Sequence, residues 1–196
     1  MSRTNEFSGD PNTLTPRAGA RSEPVERPGL LFTPADSEAA YRAWGFNCGP
    51  AAIAAALGLT PSSVRPFLGE DWRGFMSPTE VENAVARAGW LPLRAHRCPE
   101  RPAPGQMVTY PSGSGIVRVQ FDGPWCDRGV PIGARYQRTH YAASHEDEAG
   151  RMWVFDVNAE DWMDLGRWRE KLIPSLFPPK TTGWWVSHAW KLVRRG

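Results

Sequence analysis

The run "CGPAAIAAALG", residues 48–58, limits what this chain can fold into more than any other segment. Alanines at 51, 52, 54, 55 and 56 give it high helix propensity and little bulk on every side. A helix that is small all round can be approached closely on all its faces, so it is expected at the centre of the fold. Its ends are marked. Asn47 is a good N-cap residue, Pro50 sits in the first turn where a missing N–H costs nothing, and Gly58 suits the C-terminal stop. The first helical residue is Cys48. A thiol there meets the N–H groups and positive dipole end of a helix, which favour an anion. Its pKa falls further when a histidine is adjacent. A plain buried cysteine is the bland alternative.

The rest of the 196 residues supplies a setting for this helix. Apolar residues at 41% and charged residues at 22% are ordinary for a globular domain of this size. A formal net charge of +2 is too small to argue for nucleic acid or an anionic membrane, so neither is expected as a partner. No apolar run approaches the roughly 20 residues needed to span a bilayer. The first residues show no apolar core of a signal peptide. The cysteines at 48, 98 and 126 are odd in number and widely spaced, which argues against a secreted disulfide framework and for a reducing interior.

Residues 1–35 are polar and rich in Ser, Thr, Pro, Arg and Gly, and read as a flexible or extended arm able to tie the chain to an assembly partner. Residues 36–196 read as the folded domain. It opens with a short helix at "ADSEAAYRAW", the central helix, and a short helix at "TPSSVRPFLG". "SPTEVENAVARAGW" is a helix with a capping box from Ser77 to Glu80 and a stripe of Val81, Ala84, Val85 and Ala88. After "CPERPAPG" come short strands at "QMVTY", "GIVRVQF", "THYAASH" and "RMWVFDV", a helix at "AEDWMDLGRWREKLI", and a last strand at "GWWVSHAWKLV". Helices first and antiparallel strands afterwards predict an α+β domain.

"THYAASHEDEAGRMWVFDVNA" reads as a hairpin. With its tip centred on Glu148, His140 faces Asp156 on one side of the sheet, where opposed Cβ atoms stand about 4.5–5.5 Å apart. A carboxylate there orients an imidazole and fixes its tautomer. Asn158 is the diagonal neighbour and the alternative orienter if the register slips by two. Of the other histidines, His145 is expected near the solvated tip, His188 as a packing residue in a Trp-rich strand, and His96 in an Arg- and Pro-rich loop. "HRC" at 96–98 with Cys126 lacks zinc-site spacing, so no metal and no cofactor are expected. Trp153, Trp162, Trp168, Trp184, Trp185 and Trp190 are read mostly as core, with Trp44 and Trp125 left as candidate substrate-groove residues.

"NCGPAAIAAALG", "FMSPTEVENAVARAGW" and "HYAAS…RMWVFDVN", in that order, resemble the papain-like cysteine peptidases, specifically the bacteriocin-processing group that cuts double-glycine leaders. The resemblance covers roughly residues 40–160. It implies a papain-like fold, with the cysteine-bearing helix packed on an antiparallel sheet that carries the histidine and aspartate. It implies Cys48 as nucleophile, His140 as general base and acid, and Asp156 as orienter. A thioester intermediate would form on a protein or peptide substrate, with the Cys48 N–H as one oxyanion donor. One departure stands out. Where the family has an oxyanion glutamine, about six residues before the cysteine, this chain has Arg42. Arg42 and Asn47 are the substitute donor candidates.

Stand-alone domains of this kind also occur in phage and prophage genomes, so a cytoplasmic or virion-associated bacterial setting is expected. Two rivals stay open. One is an inactive papain-fold binding or virion structural module. The other is a deamidase, a transglutaminase-like enzyme or a peptidoglycan amidase on the same scaffold.

Overall fold

The computed structural model describes residues 28–196, apart from 70, 71, 73, 104–106 and 136 and the side chains of 132 and 133. Most of the expected arm, residues 1–27, lies outside the described residues. Its last part does not read as an arm. Phe32 is buried and meets Phe46 and Phe155 edge-on, so the core starts before residue 36.

Four helices come first. α1 spans Pro34–Trp44, α2 Cys48–Leu57, α3 Pro61–Val64 and α4 Pro78–Arg87. α1 and α4 both open with a capping box, Thr33 with Asp36 and Ser77 with Glu80, and both carry proline in the first turn. These signals satisfy N–H groups that have no partner inside the helix. α2 is buried from Gly49 through Leu57, which only a helix of small residues allows without forcing its neighbours apart.

The strands are β1 (Trp90–Arg97), β2 (Ser114–Asp122), β3 (Thr139–Glu146), β4 (Met152–Asp156), β5 (Asp161–Asp164) and β6 (Gly183–Arg194). They form one antiparallel sheet in the order β1-β6-β2-β3-β4-β5. The domain is therefore α+β, as the element order predicts. β2 lies in the middle and is buried at every position from Gly115 to Phe121, so both faces of the sheet are covered. One face, with Ile116, Tyr141, Ala143 and Phe155, packs against α2 and α4. The other, with Val117, Val119, Ala142 and Val154, packs against Trp168 and Ile173 from the helical turns that follow β5. Five of the six C-terminal tryptophans are buried, which is their core reading; Trp184 packs half-buried against the second face. No described helix is long and apolar enough to cross a membrane.

Three expectations are corrected. Residues 90–97, which include the His96 loop, are β1. Pro92 is tolerated there because β1 is an edge strand, paired only with β6. The first part of the expected helix at 159–173 is β5, because Trp162 and Met163 bury into opposite faces of the sheet, a period of two. The helical turns begin only at Leu165, where the Asp164 side chain caps them. Residues 107–110 of the expected "QMVTY" strand are not strand; Val108 and Tyr110 pack against the second face while Met107 is exposed.

Replacing Ala54 with leucine inserts three carbons where no solvent reaches. Ala54→Leu is expected to lower stability by about 1–3 kcal/mol, read from the midpoint of urea unfolding. An unchanged midpoint would contradict the close packing of α2.

Candidate active site

Cys48 is the first residue of α2, half-buried, and opens into a cleft of about 730 Å³. The local geometry follows from the residues beside it. Asn47 Oδ1 accepts from the Gly49 N–H at 3.2 Å, and Asn47 Nδ2 donates to the Gly74 carbonyl. That second bond ties the helix start to the segment forming the cleft wall. Gly49 leaves room for Met76: a Cβ there would stand 2.8 Å from its Sδ and force that side chain to shift. Of the first-turn donors, the Gly49 N–H is capped by Asn47, Pro50 has none, and the Ala51 N–H goes to the Asn47 carbonyl. The Cys48 N–H, as the first of the helix, has no carbonyl within the helix to pair with.

β3 pairs with β2 from Thr139 onward, but with β4 only from Ala143 to Glu146. The first residues of β3 thus have one open edge, and Cys48 occupies it. Its sulfur lies near the Tyr141 N–H and the His140 side chain, close enough for both to bear on its charge. His140 Nε2 donates to Asp156 Oδ2 at 2.7 Å, which leaves Nδ1 for the sulfur. The expected register is corrected here. Ala143 faces Phe155, so the hairpin is centred on Ala149 and Asp156 is diagonal to His140 rather than opposite. The turn explains the shift. Gly150 supplies a positive φ, and Asp147 Oδ1 accepts the N–H groups of Ala149 and Arg151. A shift of two keeps both residues on one face of the sheet.

Asp156 is fully buried and every lone pair is engaged. Oδ2 also accepts from Trp168 Nε1 at 2.9 Å, and Oδ1 accepts from the Asn158 N–H at 3.0 Å and Asn158 Nδ2 at 3.1 Å. Asn158 thus holds the carboxylate and does not reach His140 itself. Trp168 escaped the sequence reading, because nothing local distinguishes it from its neighbouring tryptophans.

The charges respond to one another. Burial opposes a charged His140, but the Asp156 and Cys48 hydrogen bonds override it and lift the imidazole to about 10. Burial likewise opposes a Cys48 thiolate. The hydrogen bond and positive charge of His140 and the Tyr141 N–H outweigh it, so the thiol lies below its ordinary value. For Asp156, burial raises the pKa, and His140, Trp168 and the Asn158 N–H together bring it below the usual carboxylate value. All three directions favour a thiolate on Cys48, an imidazolium on His140 and a carboxylate on Asp156.

The remaining candidates are not brought to the cleft. Arg42 lies on the outer face of α1, paired with Glu38 and three-quarters exposed. Trp44 packs on Phe46 and Trp72, and Trp125 donates to the Phe121 carbonyl at 2.8 Å. His188 stacks on Trp190, His96 meets the Val186 carbonyl, and His145 lies edge-on to Trp162. Among the described residues, no three His, Cys, Asp or Glu side chains are grouped to hold a metal. The aromatic residues that do border the cleft are Phe75, exposed at its rim, and the buried Tyr141.

No family model matches this chain, and no curated protein matches it.

With Cys98 and Cys126 changed to serine, Cys48 is expected to react with iodoacetamide at a rate that persists well below pH 8, where an ordinary thiol of pKa about 8.5 loses its thiolate. His140→Ala should return the pH profile to that of an ordinary thiol. A profile that ignores His140 would contradict the ion pair.

Proposed function

We propose that the chain is a papain-like thiol hydrolase that cleaves a peptide or isopeptide bond. The observation that carries this reading is the connected set Cys48–His140–Asp156, placed so that the sulfur opens into the cleft. Three separate segments supply the three groups, with the histidine between the thiol and the carboxylate as acyl transfer requires.

In this reading the Cys48 thiolate attacks the carbonyl carbon of an amide. The tetrahedral oxyanion takes the Cys48 N–H, with the Asn47 Nδ2 hydrogen not engaged by Gly74 as the second donor. The His140 imidazolium gives its Nδ1 proton to the leaving amine, and the C–N bond breaks to leave a thioester on Cys48. The now neutral imidazole takes a proton from water, the hydroxide adds to the thioester, and the carboxylic acid product departs as the thiolate reforms. Asp156 stays ionised throughout and holds the ring in place. A protein or peptide substrate and a bacterial or virion-associated setting belong to the same resemblance-based proposal.

The position of Arg42 favours one second reading. The residue that stands where the family's glutamine would be points into solvent, so the fold can serve as a binding module with a weakened site. Loss of one oxyanion donor typically costs about 100- to 1000-fold in rate.

The test is product analysis on a peptide mixture from a bacterial proteome digest. New amine termini are expected with the wild-type chain and none with Cys48→Ala. His140→Ala should lower the rate by about 100- to 10,000-fold. Ammonia release without new termini would instead assign a deamidase. No Cys48-dependent product of either kind would leave the binding module.

A further inference from the structure

The cleft beside Cys48 has a charge that the reaction does not use. Among the described residues lining it, Cys48 apart, Arg118 is the one with a formal charge; the others are polar, apolar or glycine. Arg118 is in the middle of β2, opposite Tyr141 of β3 and opposite His188 of β6. By strand alternation it shares the face of Ile116, the face on which α2 packs. Its residue exposure is 6%, yet it reaches the cleft wall.

The guanidinium is held in place rather than free to swing out. Nη1 donates to Ser187 Oγ at 2.8 Å, and the guanidinium charge bears on the Tyr141 side chain across the strand pair. Tyr141 in turn donates its hydroxyl to the Met76 carbonyl at 3.0 Å, so strand, arginine and cleft wall are linked. Ser187 is extruded at the bulge where the β2–β6 register shifts after Arg118. A bulge at this point re-aims the neighbouring side chains. Opposite Arg118 on β6, burial first and then the charges of Arg118, Arg94 and Arg97 bring His188 down to about 4. Thr139 and Gln137 line the same wall and add polar groups.

A buried arginine is costly to desolvate and presents a rigid fork of donors matched to a carboxylate. Placed in a substrate cleft, it selects by charge. We infer that Arg118 is the specificity determinant of the cleft and receives a carboxylate of the substrate, the side chain of an aspartate or glutamate near the scissile bond. This rests on the hydrolase reading of Cys48. It adds the substrate class: acidic peptides, against amide-bearing ones of the same shape.

The test measures protection of Cys48 from iodoacetamide, in the chain with Cys98 and Cys126 changed to serine. The probes are two pools of acetylated, amidated heptapeptides with random neighbours around a fixed central Glu or a fixed central Gln. A third pool is the Gln set with a free C-terminal carboxylate. The Glu pool is expected to protect at about tenfold lower concentration than the Gln pool. Arg118→Gln should abolish that advantage and Arg118→Lys should keep part of it, each advantage being the ratio of Glu-pool to Gln-pool protection measured on the same variant. If Arg118→Gln does not fold, loss of the wild-type advantage at 1 M salt and its partial retention in Arg118→Lys decide the matter in its place.

Equal protection by the Glu and Gln pools, or an advantage that survives Arg118→Gln, would overturn the proposal while leaving the hydrolase reading intact. An advantage confined to the free-acid pool would overturn the side-chain assignment in favour of a chain-end carboxylate. Alkylation of Cys48 at the rate of an ordinary thiol would overturn the hydrolase reading, and this inference with it.

Discussion

The fold around the site depends on a carboxylate from which water is excluded. Asp156 ends β4 with no exposure, and a bare charge there would cost several kcal/mol. It is tolerated because donors converge on it from three places: His140 on β3, Asn158 just beyond β4, and Trp168 in the helical turns after β5. Each donor fixes the position of the element that bears it. The tryptophan brings the C-terminal helical turns against the second sheet face. The histidine carries the charge onward to the sulfur. Removing the carboxylate would therefore disturb the packing of that face as well as the reactive pair.

α2 supplies the other half. A helix this small in cross-section can lie buried along β3 and put its first residue against the open edge of the strand. The place where β4 stops pairing is also the place where Cys48 fits, so an interrupted ladder leaves a backbone N–H for the sulfur. Cys48 and His140 are therefore brought together from a helix start and a strand start. Neither is a loop that must order when substrate binds.

Much of this was legible in the residues, for reasons that can be named. α2 announced itself by composition and caps, and α4 by its capping box and apolar stripe. His140 and Asp156 were placed on one face because side chains alternate along strands. That placement survived a register error of two residues, since a shift of two preserves the face. An error of one would have destroyed it. β1 was missed because Pro92 breaks the strand pattern, and only an unpaired edge makes that harmless. β5 was missed because its four residues adjoin a stretch with helical composition. Trp168 and Arg118 left no local signature. A tryptophan among tryptophans, and an arginine inside "GIVRVQF", acquire their roles only when distant segments meet. The polar arm extends at least four residues too far in the sequence reading, because Leu30-Leu31-Phe32 is an apolar run too short to show a period.

The central claim is that Cys48 and His140 rest as a thiolate and an imidazolium held by Asp156. The ¹⁵N chemical shifts of the His140 ring at pH 8 test it most directly. A free imidazole, with a pKa near 6.5, is neutral there. With the His140 value raised to about 10, both ring nitrogens should still be protonated at pH 8. A neutral ring at that pH, with one nitrogen carrying no proton, would contradict the account.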